Sequence, residues 1–235
     1  MRTLGIIGGM SWESTATYYR LLNEGVRDRL GGLHSAPLVL HSVDFATVAA
    51  MQKAGEWEAA GALLGGAAQG LERAGATALL LATNTMHKVA GAIEASVSIP
   101  LLHIGDAVGQ RLQALGIDKV ALLGTRFTMR EPFYRERLTE RFGQHVLLPA
   151  DAEMEEIDRV IFNELCVGTI KPEAKAYYLA CLERLQANGA QAAILGCTEI
   201  GLLMGAGDTA LTLVDSTEAH VGMGLEWMLK TGSGC

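Results

Sequence analysis

The chain has 235 residues, of which 49% are hydrophobic and 28 are glycine, and its formal net charge is −7. Such a length and apolar fraction suit a compact α/β protein with a full core, as one large domain or two small ones, and exclude a disordered chain. The acidic balance, with no long basic run, makes nucleic acid and anionic membrane poor partners.

No uncharged apolar run approaches the ~20 residues of a membrane span. The short run Leu4–Ile7 is too brief for a signal-peptide core. It reads instead as a first strand, entering Gly8-Gly9-Met10-Ser11 and then a helical segment with Tyr18-Tyr19. A second strand is expected at Leu38–His41. Beyond it Trp57, Ala60, Leu64, Ala67 and Leu71 recur every three or four residues, the face with which a helix covers a sheet. The run Gly75–Thr85 (GATALLLATNT) holds a third strand that ends on Thr83-Asn84-Thr85, and Leu101–His103 fits a fourth.

The same order then recurs. Val120–Leu123 leads into Gly124-Thr125-Arg126 and a helical segment with Phe133-Tyr134. His145–Leu148 follows, then a helical face of Tyr178, Cys181, Leu182 and Leu185. The run Gly189–Glu199 (GAQAAILGCTE) ends on Cys197-Thr198-Glu199, and Leu211–Val214 completes the second set. Strands alternating with helices form βαβ units and parallel sheets. The expected fold is therefore α/β, two pseudo-symmetric doubly wound parallel-sheet lobes with the active site between them. Residues 1–103 and 210–235 would form the first lobe, with a last helix around His220–Leu229 packed back on it, and residues 104–209 the second.

In open parallel sheets ligands bind beyond the carboxyl ends of the strands. The four polar turns, Gly8–Ser11, Thr83–Thr85, Gly124–Arg126 and Cys197–Glu199, all sit there. Each is expected to open a helix whose free N–H groups favour an anion such as a substrate carboxylate. Gly8-Gly9 in GIIGGM does not match GxGxxG, and Asp44 lies too far on to be a ribose acid, so these glycines read as a tight turn. Walker, HExxH and GxSxG motifs are missing.

Cys166, Cys181, Cys197 and Cys235 show no paired spacing, so neither a disulfide framework nor a zinc site is expected, and a reducing cytoplasm is. Cys166 and Cys181 lie in apolar helical patterns and read as packing residues. Cys197 lies in a polar turn that opens a helix, a position that lowers a thiol's pKa and makes it a candidate nucleophile or base. Thr83, at the matching place, reads as a helix cap or as a site residue. His87 reads as a first-turn residue, with general acid–base work as the alternative.

LGIIGGMSWEST, ATNTMHKVA, ALLGTRFTM and LGCTEIGLL, taken together and in order, resemble the aspartate/glutamate racemase family over nearly the whole chain. The resemblance implies two similar lobes around one site, usually a homodimer, and racemisation of an acidic amino acid with no pyridoxal phosphate and no metal. In most members two cysteines work on opposite faces of the substrate Cα. Cys197 matches the second, and Thr83 stands in place of the first, as in a Thr/Cys subgroup. Asn84, Thr85, Thr125 and Thr198 match turns that hold the substrate carboxylate and ammonium. Met10 would line the cleft, and Gln52 matches a contact to the side-chain carboxylate.

Two departures from the family pattern matter. A threonine hydroxyl cannot be an anionic base near neutrality, whereas a cysteine, with an ordinary pKa of ~8.5, can. Leu165-Cys166-Val167-Gly168 also lacks the basic residue that many members direct at the distal carboxylate, which admits a longer or neutral side chain. Alternative readings are a carbanion enzyme of the maleate isomerase or arylmalonate decarboxylase kind, and a non-catalytic amino-acid binding protein.

Overall fold

A computed structural model describes residues 1–230; Cys235 and the rest of the terminal segment lie outside the described residues. The chain divides into two units, Met1–Ile104 with the segment from His220 onward, and Gly105–Ala219.

The first unit runs β1 (Leu4–Gly8), α1 (Trp12–Leu30), β2 (Leu38–Ser42), α2 (Phe45–Ala54), α3 (Trp57–Arg73), β3 (Ala78–Leu81), a 3-10 turn (Thr85–Val89), α4 (Ala90–Glu94) and β4 (Leu101–Leu102). Its sheet has the order β2-β1-β3-β4, with every neighbour parallel. β1 and β3 are buried along their whole length, which is why they read as unbroken apolar runs. Alternation assigns their side chains to two cores. Ile7, Leu79 and Leu81 pack with Leu64 and Leu71 of α3, while Leu4, Ile6 and Leu80 pack with Tyr18 and Leu22 of α1. Each fully buried leucine or isoleucine contributes roughly 1.5–3 kcal/mol of transfer free energy.

The second unit repeats the plan: α5 (Ile104–Ala114), which starts at the boundary, then β5 (Lys119–Gly124), α6 (Arg126–Arg130), α7 (Pro132–Phe142), β6 (His145–Leu147), α8 (Asp151–Asn163), a 3-10 turn (Leu165–Val167), α9 (Pro172–Ala187), β7 (Ala192–Gly196), α10 (Ile200–Leu203) and β8 (Thr212–Asp215). Its parallel sheet has the order β6-β5-β7-β8. Ala121, Leu123, Ala193 and Leu195 of the sheet pack with Ile157 of α8 and with Tyr178, Cys181 and Leu182 of α9. The Tyr178 hydroxyl donates to the Ile157 carbonyl at 3.0 Å, so the polar end of this buried ring is satisfied. Asp106 of α5 receives Arg137 Nε and Nη2 of α7 at 2.6 and 2.8 Å, a bidentate pair that ties the two helices.

The expected return to the first lobe at residue 210 is corrected. β8 hydrogen-bonds to β7 through Asp215, so the stretch 210–219 stays with the second unit until the edge strand is laid down. The chain re-enters the first unit along α11 (Ser216–Leu229), whose Val221, Leu225 and Met228 complete the core around Tyr18 and Leu22. No helix among the described residues is long and apolar enough to cross a membrane.

Candidate active site

In each sheet the strand order reverses between the first and third strands, β1 and β3 in one unit and β5 and β7 in the other. The carboxyl ends of such a strand pair are where an open α/β sheet leaves room for a ligand. In the second unit Gly124 lies opposite Gly196 in register, so Thr125 and Cys197 leave adjacent strand ends. The glycine pair is a steric requirement. A Cβ on Gly196 would stand 2.8 Å from the Leu123 carbonyl oxygen, and one on Gly124 3.0 Å from the Gly196 carbonyl oxygen.

Cys197 is half-buried, and its Sγ donates to Glu199 Oε2 at 2.9 Å. Glu199 is itself buried. The expectation of a thiol acidified by a helix N-terminus is corrected. α10 has only four residues, too few to build a macrodipole, and the surroundings act in the opposite sense. Burial first, then the negative charge and hydrogen bond of Glu199, hold the thiol well above its ordinary pKa. Both the burial and the contact with Glu199 therefore favour the protonated thiol over the thiolate.

Thr125 caps α6. Its Oγ1 accepts from the Thr128 N–H at 3.3 Å and lies 3.3 Å from the Thr128 hydroxyl. Thr198 is half-buried in the turn between β7 and α10. Cys181 is fully buried in α9, and burial pushes its thiol up to about 12, consistent with a packing role. Cys166 lies in the Leu165–Val167 3-10 turn rather than in a helix, half-buried against the same core that Cys197 touches. The cations flanking this turn, Arg159 and Lys171, both face Glu164 Oε1, at 2.9 and 3.3 Å.

In the first unit Gly9 has φ of 94°, and a Cβ there would collide with the backbone of Val43. Thr15 Oγ1 accepts from the Gly9 N–H at 2.8 Å and donates to the Ser11 carbonyl at 2.9 Å. Gly8-Gly9 thus serves a tight strand-to-helix turn. Met10 is buried in the core with Ile7 and Val48. Gln52 of α2 is also buried, and its Nε2 donates to Met86 Sδ at 2.9 Å, which ties α2 to the 3-10 turn. Asn84 and Thr85 are buried polar residues at the start of that turn.

Thr83 is half-buried just beyond β3, and both its backbone groups are fixed. Its N–H donates to the Leu81 carbonyl at 2.8 Å, and its carbonyl faces His87 Nδ1 at 2.8 Å. Helices do follow Gly8–Ser11, Gly124–Arg126 and Cys197–Glu199, though α6 and α10 have only five and four residues; the expectation is corrected at Thr83–Thr85, where a 3-10 turn follows instead. Sequence reasoning missed Glu199 as the partner of the thiol and His87 as the partner of Thr83. Their signals were spacing, two residues beyond Cys197 and one helical turn beyond Thr83. Among the described residues no group of three or more His, Cys, Asp and Glu side chains is arranged to hold a metal ion.

Two like α/β units thus each carry polar residues beyond their switch-point strands, with a thiol at that place in the second. A profile of the Asp/Glu/hydantoin racemase family matches residues 7–224, and the chain belongs to that family. It is similar to the crystal structure of a Yersinia pestis protein described as a candidate Asp/Glu racemase, at 47% identity and a TM-score of 0.93 over 98% of this chain and 100% of that one. It is also similar to an aspartate racemase homologue from Pyrococcus horikoshii OT3, at 36% identity and a TM-score of 0.85 over 97% and 99% of the two chains. The aspartate racemase of Picrophilus torridus shares the fold at 19% identity, with a TM-score of 0.74 over 97% and 94%. Family membership makes this chain an enzyme of the amino acid racemase class.

Proposed function

We propose that the protein racemises L-aspartate or L-glutamate without pyridoxal phosphate or metal, with Cys197 as the base that removes the Cα proton. The observation that carries this reading is the placement of Cys197 at the switch-point end of β7, its Sγ 2.9 Å from the Glu199 carboxylate. A Cα–H beside a carboxylate is a very weak acid, so the site must supply an anionic base and donors for the developing carbanion or enolate. The Cys197 thiol releases its proton to solvent as pH rises, and the thiolate then takes the Cα proton of the L enantiomer. Thr83, or a water linked to it, returns a proton to give the D product. A threonine hydroxyl gives a proton to a carbanion far more readily than it takes one from Cα, so the two directions have unequal kinetic parameters although the equilibrium constant is one.

In the same reading Asn84, Thr85, Thr125 and Thr198 hold the carboxylate and ammonium, with Met10 and Gln52 toward the side chain. The 3-10 turn Leu165–Val167 offers no cation, and its neighbours Arg159 and Lys171 already face Glu164, which supports tolerance of longer or neutral side chains. A homodimer working in the cytoplasm belongs to the proposal. Chiral chromatography of L-aspartate, L-glutamate and L-methionine incubated with enzyme and chelator tests it, with maleate as a control. D-aspartate or D-glutamate is the expected product. Turnover of maleate alone, or tight amino-acid binding with no D product, would replace this reading with an isomerase or a binding protein.

A further inference from the structure

The first unit holds a buried polar chain that ends on Thr83. Tyr18 of α1, His87 and His103, and His220 of α11 are all nearly inaccessible to solvent. The Tyr18 hydroxyl lies 2.8 Å from His220 Nδ1, and His220 Nε2 lies 2.6 Å from the Leu102 carbonyl at the end of β4. Two residues on, the Ile104 N–H donates to His87 Nε2 at 3.2 Å. His87 Nδ1 then meets the Thr83 carbonyl at 2.8 Å, and the His103 ring packs against that of His87 at 4.4 Å between centroids.

The partners fix the proton positions. A carbonyl can only accept, so His87 Nδ1 carries the hydrogen, and a backbone N–H can only donate, so Nε2 carries the lone pair. His87 is thereby held as the neutral Nδ1–H tautomer, and it joins the start of α5 to the backbone of Thr83. By the same logic His220 donates through Nε2–H and accepts from Tyr18.

We infer that His87 is a positioning residue that sets Thr83 in the geometry needed to return the proton, and that it does so through its Nδ1–H bond to the Thr83 carbonyl. This inference rests on the racemase reading above. With Thr83 N–H bonded to Leu81 and its carbonyl bonded to His87, the backbone that carries the hydroxyl has little freedom. Loss of the His87 bond frees the carbonyl to rotate and moves the hydroxyl, and misplacement by about 1 Å lowers a proton-transfer step by up to about a hundredfold.

The test compares His87→Asn, whose amide places a donor near the Nδ1 position, with His87→Gln, whose amide reaches only the Nε2 position. In D2O, proton and deuterium signals of L-aspartate and D-aspartate give two rates: appearance of the D enantiomer, and deuterium entry at Cα of the remaining L substrate. His87→Asn keeps the wild-type ratio of these rates. His87→Gln lowers D formation about 10–100-fold while deuterium entry into L-aspartate continues within about threefold. Equal loss of both rates in His87→Gln, or the same ratio in both variants, overturns the inference. Thr83→Val and Cys197→Ala separate this from failure of the racemase reading. If Cys197→Ala still exchanges, or Thr83→Val still forms D product at the wild-type rate, the reading itself falls. If those controls behave as expected and His87→Gln keeps the wild-type ratio, only the role of His87 falls.

Discussion

Acidification should weaken the first unit through His220. This imidazole is fully buried, and burial lowers its pKa from 6.5 to about 4, with the bond to the Leu102 carbonyl opposing the shift only in part. Between those two values the unfolded chain binds a proton that the folded protein does not, so the contribution is complete above pH 6.5 and is lost as pH falls toward 4. At ~1.4 kcal/mol per pKa unit the whole shift is worth about 3 kcal/mol, of which about 2 kcal/mol is lost between pH 7 and pH 5. Trp12, Trp57 and Trp227 all lie in the first unit, and Trp227 on α11 donates to Thr77 Oγ1 at 3.3 Å. Urea unfolding followed by tryptophan fluorescence therefore reports on the unit that holds His220. His220→Gln keeps a donor for the Leu102 carbonyl and does not titrate. The difference in stability between pH 7 and pH 5 should shrink by about 2 kcal/mol in this variant. Equal losses in wild type and variant, or a wild type that gains stability on acidification, would refute the reasoning.

Because burial and Glu199 hold the Cys197 thiol above its ordinary range, kcat/KM on the L substrate should climb with pH through neutrality as the thiolate forms. Glu199→Gln removes the neighbouring negative charge that helps hold the thiol up and should move that limb to lower pH, read from the kcat/KM profile; an unshifted limb would contradict the assignment. Thr15→Val deprives the buried Gly9 N–H of its acceptor and should cost about 1–3 kcal/mol in urea unfolding, whereas a neutral effect would mean that the turn finds another partner.

The eight strands were legible because each is a short apolar run bounded by glycine or polar turns, and duplication supplied a second reading of every one. β1 and β3, buried along their length, show no alternation, and it is their shortness and the flanking Gly8-Gly9 and Gly75 that mark them as strands rather than helix. The boundary at residue 210 failed because strand pairing, which keeps β8 beside β7, leaves no mark in composition. The helix expected after Cys197 is present as α10, but its shortness was not legible. GCTEIGLL has the capping polarity of a helix start, but the helix spans only Ile200–Leu203 and Met204 already has extended backbone. What the sequence concealed most fully was partnership. His87 reaches Ile104 only after β3, β4 and the 3-10 turn are assembled, and His220 meets Tyr18 across the fold, so neither contact has a local signature, whereas the bond from His87 to the Thr83 carbonyl is marked by their four-residue spacing.

The central claim is that one thiol, Cys197, removes the Cα proton. Proton NMR in D2O with L-aspartate and L-glutamate, comparing wild type with Cys197→Ala in the presence of chelator, measures that step directly. The wild type should lose the Cα proton signal of an L substrate as the D enantiomer appears. Cys197→Ala should slow this loss by about 10²–10⁴-fold, the usual contribution of a positioned base. Exchange in Cys197→Ala at the wild-type rate would contradict the account.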